Sequence, residues 1–421
     1  MHYVVIGAGP AGVNAAEHLR KNDPHGEITL LAAEDAPPYS RMALPYFLVG
    51  DVPAEGTYLR KDANHYSQMG INVRHARVSS VDTGAKTVSL LGGDALSYDK
   101  LLVATGATAV KPPVPGIDLD GVHNCWSLAD AHKIVERAAP GSNVILMGAG
   151  FIGCIILEAL AARNVNLTVI EMEERMVSRM TNETMGNMIK SWCENKGITV
   201  LTSTKVDAIA EAGTALSVST NNGKQLPADL VICATGVRSN TAFLDGSGVK
   251  VDMGIVVDDY MQTSVADVYA AGDVAQGKDL STGEYYVQAI QPTAVEHAKL
   301  AAHSMVLGHT SETPGKLNMN VLDTVGLIST SFGLWMGTEG GDEAELVDKE
   351  RYQYLNLQFK GDVLVGASSL GMTQHVGCMR GLIQTGAHLG DWKDKLIEQP
   401  SRLPEAYLAS AQAQNQSLAR Q

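Results

Sequence analysis

Three observations predict an α/β chain built on two Rossmann-like dinucleotide-binding domains. The spacing G-x-G-x-x-G occurs twice, as Gly7, Gly9 and Gly12 and again as Gly148, Gly150 and Gly153. Each copy follows an apolar β-type run, Val4–Ile6 or Val144–Met147, and precedes helix-forming sequence, Ala15–Leu19 or Leu157–Ala161. Each is answered downstream by an apolar run closing in Ala-Thr-Gly: Ala104, Thr105 and Gly106, then Ala234, Thr235 and Gly236. A single glycine motif is a weak signal, but two copies in strand-turn-helix context are a specific one.

The spacing has a physical reason. The first glycine permits a tight strand-to-helix turn, the second lets a pyrophosphate approach the backbone, and the third packs helix on strand, so that the phosphates meet a helix N-terminus. In each unit a second strand leads to a carboxylate expected to accept ribose hydroxyls. Ile28–Leu31 leads to Glu34, and Leu167–Ile170 leads to Glu171.

Between the two units, Lys111–Gly116 is a linker by its proline content, and the repeated pattern points to an internal duplication. Val265–Asp273 then reads as a strand presenting Asp273, and a helix begins near Gln291, Pro292 and Thr293. From about Leu317, β-rich runs such as Tyr354–Phe359 and Leu364–Ala367 indicate a third domain. The stretch Glu398–Gln421 is either a docked helix or a loose tail. Three domains are expected on this pattern.

A chain of 421 residues fits two or three such domains. A net charge of -14, with no basic run, excludes nucleic acid as the main partner and disfavours anionic membranes. Val144–Leu157 is apolar but too short, and too interrupted by glycine, for a membrane span. Met1 leads directly into a buried strand, so a cytoplasmic location is expected. Five scattered cysteines, Cys125, Cys154, Cys193, Cys233 and Cys378, form no pair suited to a cluster, a metal or a redox disulfide, and no metal is expected.

With these runs in this order, the chain resembles the FAD-dependent pyridine nucleotide-disulfide oxidoreductase superfamily over nearly its whole length. The resemblance implies that the first fingerprint binds FAD and the second NAD(H), that the chain returns to the FAD domain after the NAD domain, so that the domains are 1–112 with 246–316, 113–245, and 317–421, and that the last, a C-terminal α+β domain, is a dimer or partner interface. Carried over, Gly7, Gly9, Pro10, Ala11 and Gly12 cradle the FAD pyrophosphate, Glu34 takes its adenosine ribose and Asp273 its ribityl chain. Arg41, Val78, Ala104, Thr105 and Gly106 complete that site, with Thr293 at the flavin on a helix whose positive end stabilises reduced flavin. Gly148, Gly150, Phe151, Ile152, Gly153, Glu171 and Gly236 form the NAD site. Glu171 is followed by Met172, Glu173 and Glu174 with only Arg175 to answer them, so NADH is expected over NADPH.

The chain departs from the family in the loop Pro38–Phe47. Related NADH oxidases and coenzyme A disulfide reductases carry a redox cysteine where Met42 stands, and a thioether cannot serve as a thiolate nucleophile. A lysine and glutamate pair beside the flavin in many relatives matches Tyr46 and Ile155, both uncharged. The expected activity is therefore an FAD-dependent NADH:acceptor oxidoreductase. It passes electrons to or from an iron-sulfur protein, as rubredoxin and ferredoxin reductases do, or to iron-sulfur subunits of a 2-oxoacid:acceptor complex such as phenylglyoxylate dehydrogenase. The alternatives are a stand-alone NADH oxidase or peroxidase and a non-catalytic flavin-binding interaction protein. His297 and His375 are candidate proton relays near a flavin, although ordinary packing is the commoner role for such histidines. Met372, Cys378 and Met379 read as packing residues.

Overall fold

The computed structural model describes residues 1–418, with the side chains of residue 375 and residues 413–418 outside the described set. Strands β1 (His2–Ile6), β2 (Glu27–Ala32), β3 (Ile71–His75) and β4 (Lys100–Val103) join Val268–Ala270 in one parallel sheet, ordered β3, β2, β1, β4, Val268–Ala270. Val4, Val5, Leu30, Leu101 and Leu102 are fully buried in it, as expected of a covered parallel sheet. Helix α1 (Pro10–Asn22) supplies Val13, Ala16 and Leu19 to the same core, and a small antiparallel sheet spanning 78–97 supplies Val81 and Val88.

The second unit repeats this order. Strands β5 (Asn143–Met147), β6 (Asn166–Ile170) and β7 (Leu230–Cys233) form a parallel sheet ordered Thr199–Leu201, β6, β5, β7, Val122–Asn124. A small antiparallel sheet, spanning 206–228, again interrupts the unit. The units differ in their edge strand. Val122–Asn124 precedes its own unit, whereas Val268–Ala270 completes the first sheet only after the chain has left it and returned.

The two crossings run side by side, Ala107–Ala109 pairing antiparallel with Val237–Ser239. Asn240 pins them to the first closing run. Its Nδ2 donates to the Thr105 carbonyl at 2.9 Å, and its own carbonyl accepts from Thr105 Oγ1 at 2.8 Å.

The C-terminal part is a five-stranded antiparallel sheet, ordered Met319–Thr324, Leu327–Gly333, Val363–Leu370, Gln353–Lys360, Asp342–Asp348. Strand alternation puts Phe332, Leu355, Leu357 and Phe359 on one face, packed against Met379, Leu382, Leu396 and Leu403 of the following helices. Leu327, Tyr354 and Leu370 point the other way and share a core with the second unit. Of the stretch from Glu398, Leu403–Leu418 is helical, and its start is docked through the buried Leu403 and Ala406. Residues 419–421 lie outside the described residues.

Candidate cofactor sites

The two glycine turns have the same construction. Gly7 and Gly148 sit at φ 108° and 101°, and a Cβ on either would collide with the carbonyl of the closing run, Ala104 or Ala234. A Cβ on Gly12 or Gly153 would collide with the Gly7 or Gly148 carbonyl, so helix and turn are in backbone contact at these positions. A Cβ on Gly9 or Gly150, by contrast, would meet nothing within 4 Å. These middle glycines are the N-caps of α1 and of the helix Phe151–Ala162, and neither helix has a side-chain cap. Two other helices of the second unit do carry side-chain caps: Ser127 and Asp130 form a capping box on Leu128–Arg137, and Asn182 caps Glu183–Asn195. At the fingerprints, backbone N–H groups are left for an anion in front of an open cradle, which fits a pyrophosphate.

The strand ends differ. Gly7 N donates to the Leu31 carbonyl and Gly148 N to the Ile170 carbonyl, which makes Ala32 the counterpart of Glu171. Glu171 follows directly on β6. Its Oε2 accepts from Ala149 N at 2.6 Å and its Oε1 from Glu173 N at 2.9 Å, so the carboxylate is oriented within its own cradle. Glu34 lies two residues beyond the end of β2, and its oxygens are engaged by protein groups. Arg41 Nη2 donates to Oε1 and Tyr39 Oη to Oε2, each at 2.6 Å. A carboxylate at the strand end therefore exists in the second unit only, because the first chain turns away at Ala32.

Arg41 is the hub of the loop. Its guanidinium lies 5.4 Å from the Tyr39 ring centroid and 5.8 Å from that of Trp126, while Nε is buried without a partner among the described residues. Asp273 is close enough to be influenced by it: burial raises the Asp273 pKa and the Arg41 charge opposes that rise. Gly272, next to Asp273, is where two helix N-termini converge. A Cβ there would lie 3.0 Å from Ala11 Cβ and 3.4 Å from Ala294 Cβ.

Ala294 belongs to the helix Gln291–Leu307, which starts with Pro292 in its first turn and lacks a side-chain cap. Thr293 is buried there, and Gln291 Oε1 accepts from Ser40 Oγ at 2.7 Å. The structure thus puts Gly7, Gly12 and Ala104 in backbone contact with Gly9 open in front, sets Ala11 and Ala294 against Gly272 beside Asp273, and places Thr293 on the helix of Ala294, with the Arg41 charge acting on Asp273. Pro10 opens α1, and Gly106 (φ 63°) follows Thr105 at the crossing. Val78 stands at the start of the first small sheet, partly buried against the first core.

On the other side, Phe151 and Ile152 form the first turn above Gly150, and Gly236 (φ 120°) ends the second closing run. Met42 is 49% exposed and Tyr46 58%, one helical turn apart, while Ile155 packs in the second core. Four of the five thiols are buried. Burial pushes Cys125 and Cys193 up to about 12 and Cys233 to about 11, and it raises Cys154 and Cys378 as well. His297 is buried, which pushes its imidazole down to about 4, and its Nδ1 has no partner among the described residues. The His375 side chain lies outside the described residues. Met372, Cys378 and Met379 pack in the C-terminal core.

Several contributors were not anticipated from sequence: Tyr39 as the second holder of Glu34, Asn240 at the crossing, and Ser40 and Gln291 joining loop to helix. Tyr39 lies within the loop the sequence singled out. The others carry no motif, because each acts across more than a hundred residues of chain.

The sequence profile of the pyridine nucleotide-disulphide oxidoreductase family matches residues 1–302. The chain belongs to that family. It is 29% identical over 401 residues to the epsilon subunit of the NADH-dependent phenylglyoxylate dehydrogenase of Aromatoleum evansii, covering 94% of this chain and 95% of that one. To the rubredoxin-NAD(+) reductase of Pseudomonas putida it is 28% identical over 387 residues, covering 91% and 99%. A NAD-dependent persulfide reductase structure from A. fulgidus superposes with a TM-score of 0.85 at 29% identity, over 93% of this chain and 78% of that one.

The protein is an FAD-dependent NAD(H) oxidoreductase, and the two uncapped cradles suit its two dinucleotides. FAD supplies the centre that accepts a hydride from NADH and releases electrons singly. No helix among the described residues is long and apolar enough to cross a membrane.

Proposed function

We propose that the protein passes electrons between NAD(H) and an iron-sulfur protein, or an iron-sulfur subunit of a larger complex, through FAD and without a redox cysteine. The carrying observation is the state of the thiols. Cys125, Cys154, Cys193 and Cys233 are buried with raised pKa values, and the loop beside the flavin cleft presents Met42 instead. Buried thiols of this kind are poor nucleophiles. NADH delivers two electrons with one proton as a hydride. Two one-electron acceptors then take the pair singly, and the proton goes to solvent.

In this reading FAD occupies the cradle of Gly7, Gly9 and Gly12, with Arg41, Asp273 and Thr293 around its flavin half. Glu34 contributes by holding Arg41. NAD(H) occupies the cradle of Gly148, Gly150 and Gly153, with Glu171 on the adenosine ribose and NADH preferred to NADPH. The chain divides as 1–112 with 246–316 for FAD, 113–245 for NAD and 317–421 for an interface, a division that the returning strand Val268–Ala270 supports. The phenylglyoxylate dehydrogenase relative is a subunit of a larger enzyme, and a match over 94% of this chain supports a docked subunit here.

The test is anaerobic. FAD-loaded protein is mixed with NADH and an oxidised ferredoxin or rubredoxin while both chromophores are followed. Two acceptor molecules should be reduced per NADH. In a parallel aerobic assay without the iron-sulfur protein, NADH consumption as fast as in its presence would sink the reading in favour of an oxidase.

A further inference from the structure

We infer that Arg163 is a positioning residue for hydride transfer, clamping the NAD(H)-cradle helix to the helix that walls the flavin cleft. The inference rests on the assignment of FAD to the first cradle and NAD(H) to the second. Three helices meet at this residue. The first is Leu44–Val49, which continues from the Arg41 and Met42 turn; the second is Leu128–Arg137; the third is Phe151–Ala162, which begins at the Gly150 cradle. They pack through Leu44, Leu48, Leu128, Ile134, Ile156 and Leu160 in one core.

Arg163 is the C-cap of the third helix, followed by Asn164 in the left-handed region at φ 57°. From there its guanidinium fans out to the ends of the other two. Nη1 donates to the Leu48 carbonyl at 2.7 Å, Nε to the Ala138 carbonyl at 2.8 Å and Nη2 to the Val135 carbonyl at 3.0 Å.

The chemistry of this arrangement is specific to arginine. Carbonyls at helix C-termini are unsatisfied by their own helix and carry the negative end of the dipole. A planar fork with five N–H donors can serve three of them at once, whereas an ammonium is a point charge on a flexible stem. Among the described residues Arg163 forms no salt bridge with a carboxylate, so its charge is spent on the three carbonyls.

The clamp joins the far ends of two short rods, of roughly 9 Å and 18 Å at 1.5 Å per residue, whose near ends are the flavin wall and the NAD(H) cradle. Reacting atoms must come within roughly 3–3.5 Å for transfer, and a displacement of about 1 Å can cost a hundredfold. Arg163 touches neither cofactor, and it sets the distance between the elements that hold them.

The test uses the full-length, FAD-loaded chain and the variants Arg163→Met and Arg163→Lys. FAD content, NADH affinity, the limiting rate of flavin bleaching in single turnover and amide hydrogen exchange at 44–50 are measured. R163M is expected to keep its FAD and to bind NADH within about twofold of wild type, while its limiting rate falls roughly ten- to a hundredfold. Exchange at 44–50 should rise in the same variant, and R163K should fall between R163M and wild type in both readouts. Should R163M lose its FAD, R163K carries the same comparison. A limiting rate unchanged in the variants, with wild-type flavin reduced normally, overturns the clamp alone. Wild-type flavin that NADH cannot reduce overturns the cofactor assignment and the clamp with it.

Discussion

The first and second nucleotide units share a sheet order, an inserted antiparallel sheet and an uncapped glycine turn, yet they end their second strands differently. In the second unit Glu171 stands at the strand end, oriented by Ala149 N and Glu173 N and directed into its own cradle. In the first unit the equivalent position is Ala32, and the nearby acid, Glu34, is held by Arg41 and Tyr39. One scaffold has thus been adapted in two ways. The second keeps a carboxylate oriented at its cradle, where the proposed assignment puts the ribose of NAD(H). The first has used its acid to assemble a loop, with Arg41 over Tyr39 and Trp126.

The largest expected effect separates the units outright. In Gly12→Ala the new methyl collides with the Gly7 carbonyl, and in Gly153→Ala with the Gly148 carbonyl. Forcing atoms into such contacts costs about 1–3 kcal/mol or more. G12A should purify without the yellow flavin absorbance. G153A should purify yellow, and NADH should bleach it roughly a hundredfold more slowly if its cradle is misplaced by about 1 Å. Equal loss of FAD in both would break the comparison.

The strand ends come next. Glu171→Ala removes a charged hydrogen-bond partner, worth about 1.5–3 kcal/mol, so KM for NADH should rise at least tenfold and the preference over NADPH should narrow. Glu34→Ala should leave KM for NADH unchanged and weaken FAD retention, as read by flavin released on dilution. An equal rise of KM in both variants would contradict the distinction.

Acid should strain the first unit through His297, on the helix that meets its cradle. Burial holds this imidazole at about 4, against an ordinary value of 6.5, so the unfolded chain takes up the proton first as pH falls. Its contribution to stability is therefore complete above pH 6.5 and is lost as pH falls from 6.5 to about 4, at ~1.4 kcal/mol per unit. The gap between urea midpoints at pH 7 and pH 4.5 should shrink in His297→Gln. A gap of unchanged size would assign the acid sensitivity elsewhere.

The smallest effect tests the caps. Ser127→Ala removes the capping box from the helix Leu128–Arg137, whose first N–H also donates to Tyr39 Oη at 3.1 Å, at a cost of about 1 kcal/mol. The urea midpoint should drop while FAD content and KM for NADH stay constant. A shift in either would show that the Tyr39 contact at this helix start carries the loss into the nucleotide sites.

Much of the site was legible because it is local. Gly7, Gly9, Gly12 and their counterparts act within one strand-turn-helix, and their three roles follow from spacing. Glu171 was legible for the same reason, since it directly follows the apolar run that ends at Ile170. Glu34 was less so: two residues of turn after Ala32 send it towards Arg41, and a run of apolar letters does not show where a strand ends. The helix at Gln291 could be read from its proline, but its bond to Ser40 could not.

The sequence by itself determined that two dinucleotides bind one chain, that Met42 stands in the loop Pro38–Phe47, and that the second site has a carboxylate at its strand end. These depend on residues within a turn or two of each other, where backbone sterics and hydrogen bonding leave few choices. Only the tertiary structure decided that Val268–Ala270 completes the first sheet, that Ala32 and Glu171 are equivalent, and that Arg163 gathers three helix ends. Those facts depend on strand register and on packing between segments far apart in the chain. Such packing is specified by the shape of the whole core, which no local pattern of letters records.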